Sequence, residues 1–207
     1  MMKNIILTIT IGLIFYNCKA QSPVLNMEDA NVTKSKAPNN SYYKDVNNTL
    51  NTFEGTWLYT NGNTSLKIIL VKKEMYHYQA GTRDYYEDLL VGGYQYIEDG
   101  VEKINTLSDA NNPSIGRNAS IMGNNIFKSC KYLPINDCIA GENNLDLSIK
   151  DIPANGHFGD LRLFKRTINS QEVLKANIIM NYLGDANGKA PDPTLPWKME
   201  NIVLIKQ

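Results

Sequence analysis

From Phe53 onward, apolar and polar side chains switch with a period of two, the spacing of a strand with one buried face. Phe53, Gly55, Trp57 and Tyr59 alternate with Glu54, Thr56, Leu58 and Thr60. Asn61-Gly62 follows, and because both residues tolerate positive φ the pair predicts a two-residue hairpin turn. Leu66, Ile68 and Leu70 then return against Lys67, Ile69 and Val71. A second hairpin is expected from residues 86–97 to residues 101–107 around Asp99-Gly100, with Gly92-Gly93 marking a bulge or bend. Further strands are expected at 119–123, 125–132, 145–149, 158–166 and 201–206. Over 171–183, Leu174, Ala176, Ile178, Met180 and Tyr182 alternate with Lys175, Asn177, Ile179 and Asn181. That is a strand pattern; a helix starting at Ser170 would have no single apolar stripe. Residues 45–52 are the one stretch that reads as a short helix.

Eight to ten strands joined by tight turns within about 155 residues predict an all-β, antiparallel meander. Such a sheet leaves exposed edges unless it closes into a barrel or folds into a two-sheet sandwich. The alternation is the same in both, so the sandwich stays open beside the barrel. The expected organisation is a signal peptide over 1–20, a flexible arm over 21–44 and one β domain over 45–207. The arm is polar, with Pro23, Pro38 and many Asn, and has little apolar surface to bury.

The N-terminus begins with Lys3 and then the uncharged run Ile5 to Tyr16. Twelve apolar residues are too few to span a bilayer, which needs about 20, and suit a secretory signal. A signal peptidase cut before Gln21 would free the domain; lipidation of Cys18 would anchor it to a membrane. The expected location is therefore outside the cytoplasm: periplasmic, secreted or held on the outer membrane. Residues 1–20 carry Lys3 and Lys19 and no acids, so the remainder has 19 basic and 21 acidic residues, net −2. That balance argues against a nucleic-acid partner, which requires clustered positive charge. No second hydrophobic segment reaches membrane length. In an exported chain, Cys130 and Cys138, eight positions apart, read as a disulfide rather than a metal site, since no His lies nearby.

Chemistry is sparse. His77 and His157 are the only histidines, and no metalloprotease, nucleophile-elbow or phosphate-loop pattern occurs. Asp84, Glu87 and Asp88 form an acidic group, but neighbouring strand residues point to opposite faces, so Glu87 and Asp88 cannot share a substrate. No catalytic residue, metal site or cofactor is expected.

Phe53-Glu54-Gly55-Thr56-Trp57 resembles the first strand of the lipocalin and fatty-acid-binding superfamily: a G-x-W preceded by a short helix, here 45–52 with Asp45 as its cap. The resemblance implies a barrel of eight to ten strands closed at one end by Trp57, with a basic residue of the last strand packed across it. Lys206 stands in that place, where the superfamily usually has Arg. GTWLY, YYEDLLVGGYQYIEDGVEKINTL and NIVLIKQ are also similar to a family of short, uncharacterised exported proteins of Bacteroidota-type bacteria, which implies no known activity. Tyr94 and Tyr96 share a strand face, and with Tyr59, Leu66 and Ile68 they would line an interior cavity. The expected function is then non-enzymatic binding of a small apolar or amphipathic molecule. The alternative is a filled core in an envelope interaction or structural module, with the Tyr hydroxyls at the rim.

Overall fold

A computed structural model describes residues 23–29, 32, 37–112, 114–130, 138–154, 157–182 and 192–207. Residues 1–22, with Cys18 and both expected cleavage sites, lie outside them.

The described residues form eleven strands. Two short ones, β1 (Val24–Asn26) and β2 (Tyr42–Lys44), precede a 3-10 turn at Leu50–Phe53. There follow β3 (Gly55–Asn61), β4 (Thr64–Ala80), β5 (Arg83–Glu98), β6 (Val101–Asn105) and β7 (Ile121–Phe127). The last four are β8 (Asn144–Asp151), β9 (His157–Ile168), β10 (Gln171–Tyr182) and β11 (Lys198–Lys206). Eight of these close a barrel in the order β3-β4-β5-β7-β8-β9-β10-β11 and back to β3, with every neighbour antiparallel. The lipocalin-like barrel is therefore the fold, and the sandwich is not. Closure removes the open edges of the sheet. Among the described residues no helix is long and apolar enough to cross a membrane.

Strand boundaries follow the local chemistry. The β5–β6 loop is Asp99-Gly100, with φ of 51° and 80°, the left-handed pair a type I′ turn requires. The first hairpin turns one residue later than expected: Asn61 pairs with Thr64, and the loop is Gly62-Asn63. The helix expected at 45–52 is only the single turn Leu50–Phe53, though Asp45 does receive N–H bonds from Thr49 and Leu50, at 2.8 and 2.9 Å. The two strands expected at 119–123 and 125–132 are one strand, β7, whose pairing with β8 slips between Met122 and Asn125.

β5 has the densest surroundings. One edge pairs with β4 along its length; the other meets β2 at Tyr86–Glu87, β7 at Leu90–Gly92 and β6 from Gln95. Gly92 and Gly93 stand where β7 ends and β6 has yet to begin. The ladder with β4 runs through them without a bulge; the register shifts lie at Lys73/Tyr76 and Tyr96/Ile97. What the glycines permit is close approach. A Cβ on Gly92 would sit 2.1 Å from the Ile69 carbonyl oxygen, and one on Gly93 1.9 Å from that of Thr106.

The stretch 21–44 is not a loose arm in its described parts. β1 and β2 pair in parallel, β2 pairs with β5, and Tyr42 and Tyr43 are buried. Asp88, itself buried, holds them there. Its carboxylate accepts Tyr42 Oη at 2.5 Å, Asp45 N at 2.9 Å and Met75 N at 3.0 Å. The polar composition of the segment concealed this, because the attachment is made by hydrogen bonds and two Tyr rings.

Two outcomes are expected in urea unfolding. Gly93→Ala should lower stability by about 2–4 kcal/mol, because backbone rather than a flexible side chain must yield. Asp88→Ala should cost about 3 kcal/mol and expose residues 37–44 to limited proteolysis, because two buried donors and a part-buried one lose their acceptor.

Candidate functional site

The five residues expected to line a cavity are brought together. Trp57, Ile68 and Tyr94 lie in register across β3, β4 and β5, as do Tyr59, Leu66 and Tyr96 one rung away. Leu66, Ile68, Tyr94 and Tyr96 are buried in one cluster with Leu145, Ile149, Leu161, Leu163, Leu174 and Leu204, and Tyr59 packs against it half-buried. Each fully buried aliphatic side chain there contributes about 1.5–3 kcal/mol. Tyr94 Oη donates to the Lys150 carbonyl at 2.8 Å and Tyr96 Oη to Glu98 at 3.1 Å, so both hydroxyls are committed within the protein. Burial pushes Tyr96 up to about 12, helped by Glu98; burial also raises Tyr94, helped by Asp151. Tyr85 is likewise pushed up to about 12, by burial and then Glu87.

Both ends of this interior are covered. At one end Trp57 is fully buried beside Leu50 and Phe53, with its indole N–H donating to the Phe53 carbonyl at 3.0 Å. Lys206 Nζ lies 5.3 Å from the indole centroid, within cation–π range, and bonds Glu172 at 2.6 Å. At the other end Leu195 enters the core cluster. Its N–H donates to Asp151 at 3.0 Å, and the N–H of Thr194 donates to the same carboxylate oxygen.

A cleft of about 740 Å³ lies elsewhere, outside the Trp57 end. Glu28 and Thr49 form one wall, and Lys128, Asn143, Lys165 and Arg166 the other. Lys128 follows β7, Asn143 precedes β8, and Lys165 and Arg166 lie near the end of β9. Their charges are paired: Lys128 with Glu28 at 3.4 Å, Arg166 with Glu142 at 2.7 Å, and Lys165 with Glu172. Thr49 Oγ1 donates to Glu28 at 2.5 Å and accepts Asn143 Nδ2 at 3.1 Å. Glu28 is held below its ordinary range: burial opposes ionisation, but bonds from Thr49, Asn47 and Lys128 outweigh it. Two smaller cavities, of about 290 and 200 Å³, flank Tyr43. None of the three is lined by the five expected residues.

The remaining chemical groups do not converge. His77 sits on the exposed β4–β5 hairpin, bonded to Asp84 at 2.7 Å and stacked on Tyr86. His157 lies at the opposite end of the barrel, buried against Tyr182 and Trp197. Glu87 is buried against Arg117 at 2.5 Å and Asn124 at 3.0 Å, while Asp88 carries the bonds given above. Glu87 and Asp88 are thus interior, while Asp84 stays on the exposed hairpin. Cys130 and Cys138 form the expected disulfide, with Cα atoms 5.7 Å apart. The cleft escaped sequence reading because its walls come from five separate segments with no common spacing.

No curated protein and no solved structure matches the chain. A family model described as a family of unknown function, DUF6705, matches residues 2–207. The match runs over nearly the whole sequence, so the chain belongs to that family of unknown function.

Proposed function

We propose that this chain is an exported, non-enzymatic recognition module, a lipocalin-like barrel with a filled core that meets its partner at its outer surface in the cell envelope. One observation carries the reading: Leu66, Ile68, Tyr94 and Tyr96, with Tyr59 against them, form one packed cluster covered at both ends, while the cleft of about 740 Å³ is outside it. The absence of enzymatic activity is supported by Glu87 and Asp88, whose carboxylates are taken up in structural bonds, and by two histidines at opposite ends of the barrel. Export is supported by Lys3 and the run after it, and either a cut before Gln21 or a lipid on Cys18 follows. The acid excess after residue 20 supports a partner other than nucleic acid.

The second reading keeps a small apolar or amphipathic ligand in the interior. It is favoured by the plug: Leu195 hangs on a single carboxylate through two N–H groups, and lifting it would uncover the core.

Native mass spectrometry of protein purified from its own envelope separates the two. The filled-core reading expects a clean mass; an adduct lost on denaturation, with its intensity raised by Leu195→Ala, overturns it. The same spectrum reads the N-terminus: Gln21 for release, or a lipid-bearing Cys18 for anchorage.

An alkaline titration tests the packing. The folded state raises Tyr85, Tyr94 and Tyr96 above the ordinary value near 10. A raised folded value means that their contribution is full below about pH 10, the unfolded value; that of Tyr85 and Tyr96 is lost as the pH climbs through about 12, and that of Tyr94 later still. Phenolate absorbance at 295 nm should therefore rise in two steps, the later one coinciding with loss of β circular dichroism. A single step centred near pH 10 would mean a solvent-filled interior.

A further inference from the structure

We infer that the cleft beside Glu28, Asn143 and Arg166 is a binding site for a neutral, polyhydroxylated ligand of the saccharide class. The inference rests on the outer-surface reading above and names the chemistry of that surface.

The size is that of a small-molecule site, since about 740 Å³ falls within the usual range of about 300–1,000 Å³. The walls select the class. Lys128 and Arg166 each face a carboxylate of the cleft, and Lys165 shares Glu172, beside the cleft, with Lys206. An apolar guest would strip water from these ions and give nothing back, which is costly. An anionic guest would have to displace Glu28 from Lys128 or Glu142 from Arg166, or draw Lys165 from the Glu172 it shares with Lys206, and Glu28 is held ionised by bonds from Thr49, Asn47 and Lys128. A cationic guest faces the converse exchange.

A hydroxyl group both donates and accepts, so it can bond the outer lone pair of a carboxylate and the outer hydrogen of a guanidinium without breaking the pair. The cleft sets charged pairs, amides and hydroxyls side by side. Arg166 and Glu142 are planar groups, Asn47 and Asn143 add amides, and Thr52 and Thr167 add hydroxyls at the rim. Asn143 adds a second observation. Its Nδ2 is spent on Thr49 Oγ1, while its shielded Oδ1 has no partner among the described residues. A guest hydroxyl arriving beside Thr49 supplies the missing donor once the amide turns slightly outward.

The test is a nitrogen-15 amide-shift titration of the folded chain with maltotriose, cellotriose, xylotriose and chitotriose at millimolar concentration. Sodium sulfate and laurate serve as the contrasting probes. At least one trisaccharide should move the amides of Thr49, Asn143 and Arg166. Asn143→Ala should weaken that binding by about tenfold, the loss of one well-placed hydrogen bond. Thr167→Trp, at an exposed position, should block it with no change in Tm. Unmoved cleft amides with all four sugars overturn the inference, as does binding that survives Thr167→Trp. Shifts in the cleft with sulfate alone overturn it too, but leave outer-surface recognition standing. Shifts at Tyr94 and Tyr96 with laurate defeat that broader reading itself.

Discussion

The barrel depends on one strand being able to serve four partners. β5 must lie against β4 on one edge and share the other among β2, β7 and β6. Closure with β7 uses only three residue pairs, Leu90–Gly92, and the closure of β11 onto β3 uses two. Short seams such as these hold only if the strands approach closely. Beside the β7 seam, Gly92 and Gly93 let β4 and the residue after β6 come close to β5, because the space a side chain would need is occupied by the carbonyls of Ile69 and Thr106. Inside this frame, each inward side chain finds neighbours on both adjacent strands.

Because β5 is wrapped on both faces, it has nowhere to send its acidic residues. Glu87 and Asp88 point to opposite sides and both are buried. Each is stabilised by several donors, as a buried carboxylate must be. Glu87 binds Arg117 and Asn124, tying the 107–118 loop and β7 to the strand. Asp88 binds Tyr42, Asp45 and Met75, tying the N-terminal segment to it. Buried Lys72 extends this second network to Asp45 and Asn51. The segment so held carries Glu28 to the mouth of the cleft. Residues that resemble catalytic acids in sequence thus hold in place the surface at which recognition is proposed.

The two ends of the barrel differ in kind. The Trp57 end is covered by the large ring, the Leu50–Phe53 turn and Lys206, which reach it from both ends of the folded domain. At the other end Leu195 enters the core from a loop bonded to Asp151, with His157 packed against Tyr182 and Trp197 beside it. The polar cleft belongs to the Trp57 end, where its ion pairs are mounted on strand termini and a bonded turn.

Period-two alternation determined the class of the fold, most strand positions, the strand at Gln171–Tyr182 and the inward set around Trp57, and the Asp99-Gly100 pair determined the β5–β6 turn. These are legible because a strand's side chains report which face is buried, residue by residue. The Cys130–Cys138 bridge was legible for a similar local reason, a short loop between two thiols. Only the tertiary structure decided which of the two closures the sheet takes, that β5 trades partners at its glycines, and that Tyr42 and Tyr43 dock. It alone gathers Glu28, Thr49, Asn143 and Arg166 around one cleft. Those four lie in segments far apart in the chain, and what unites them is the meeting of strand ends in space. No spacing in the sequence records that meeting, because a polar residue at a strand end looks the same whether it faces water or another segment.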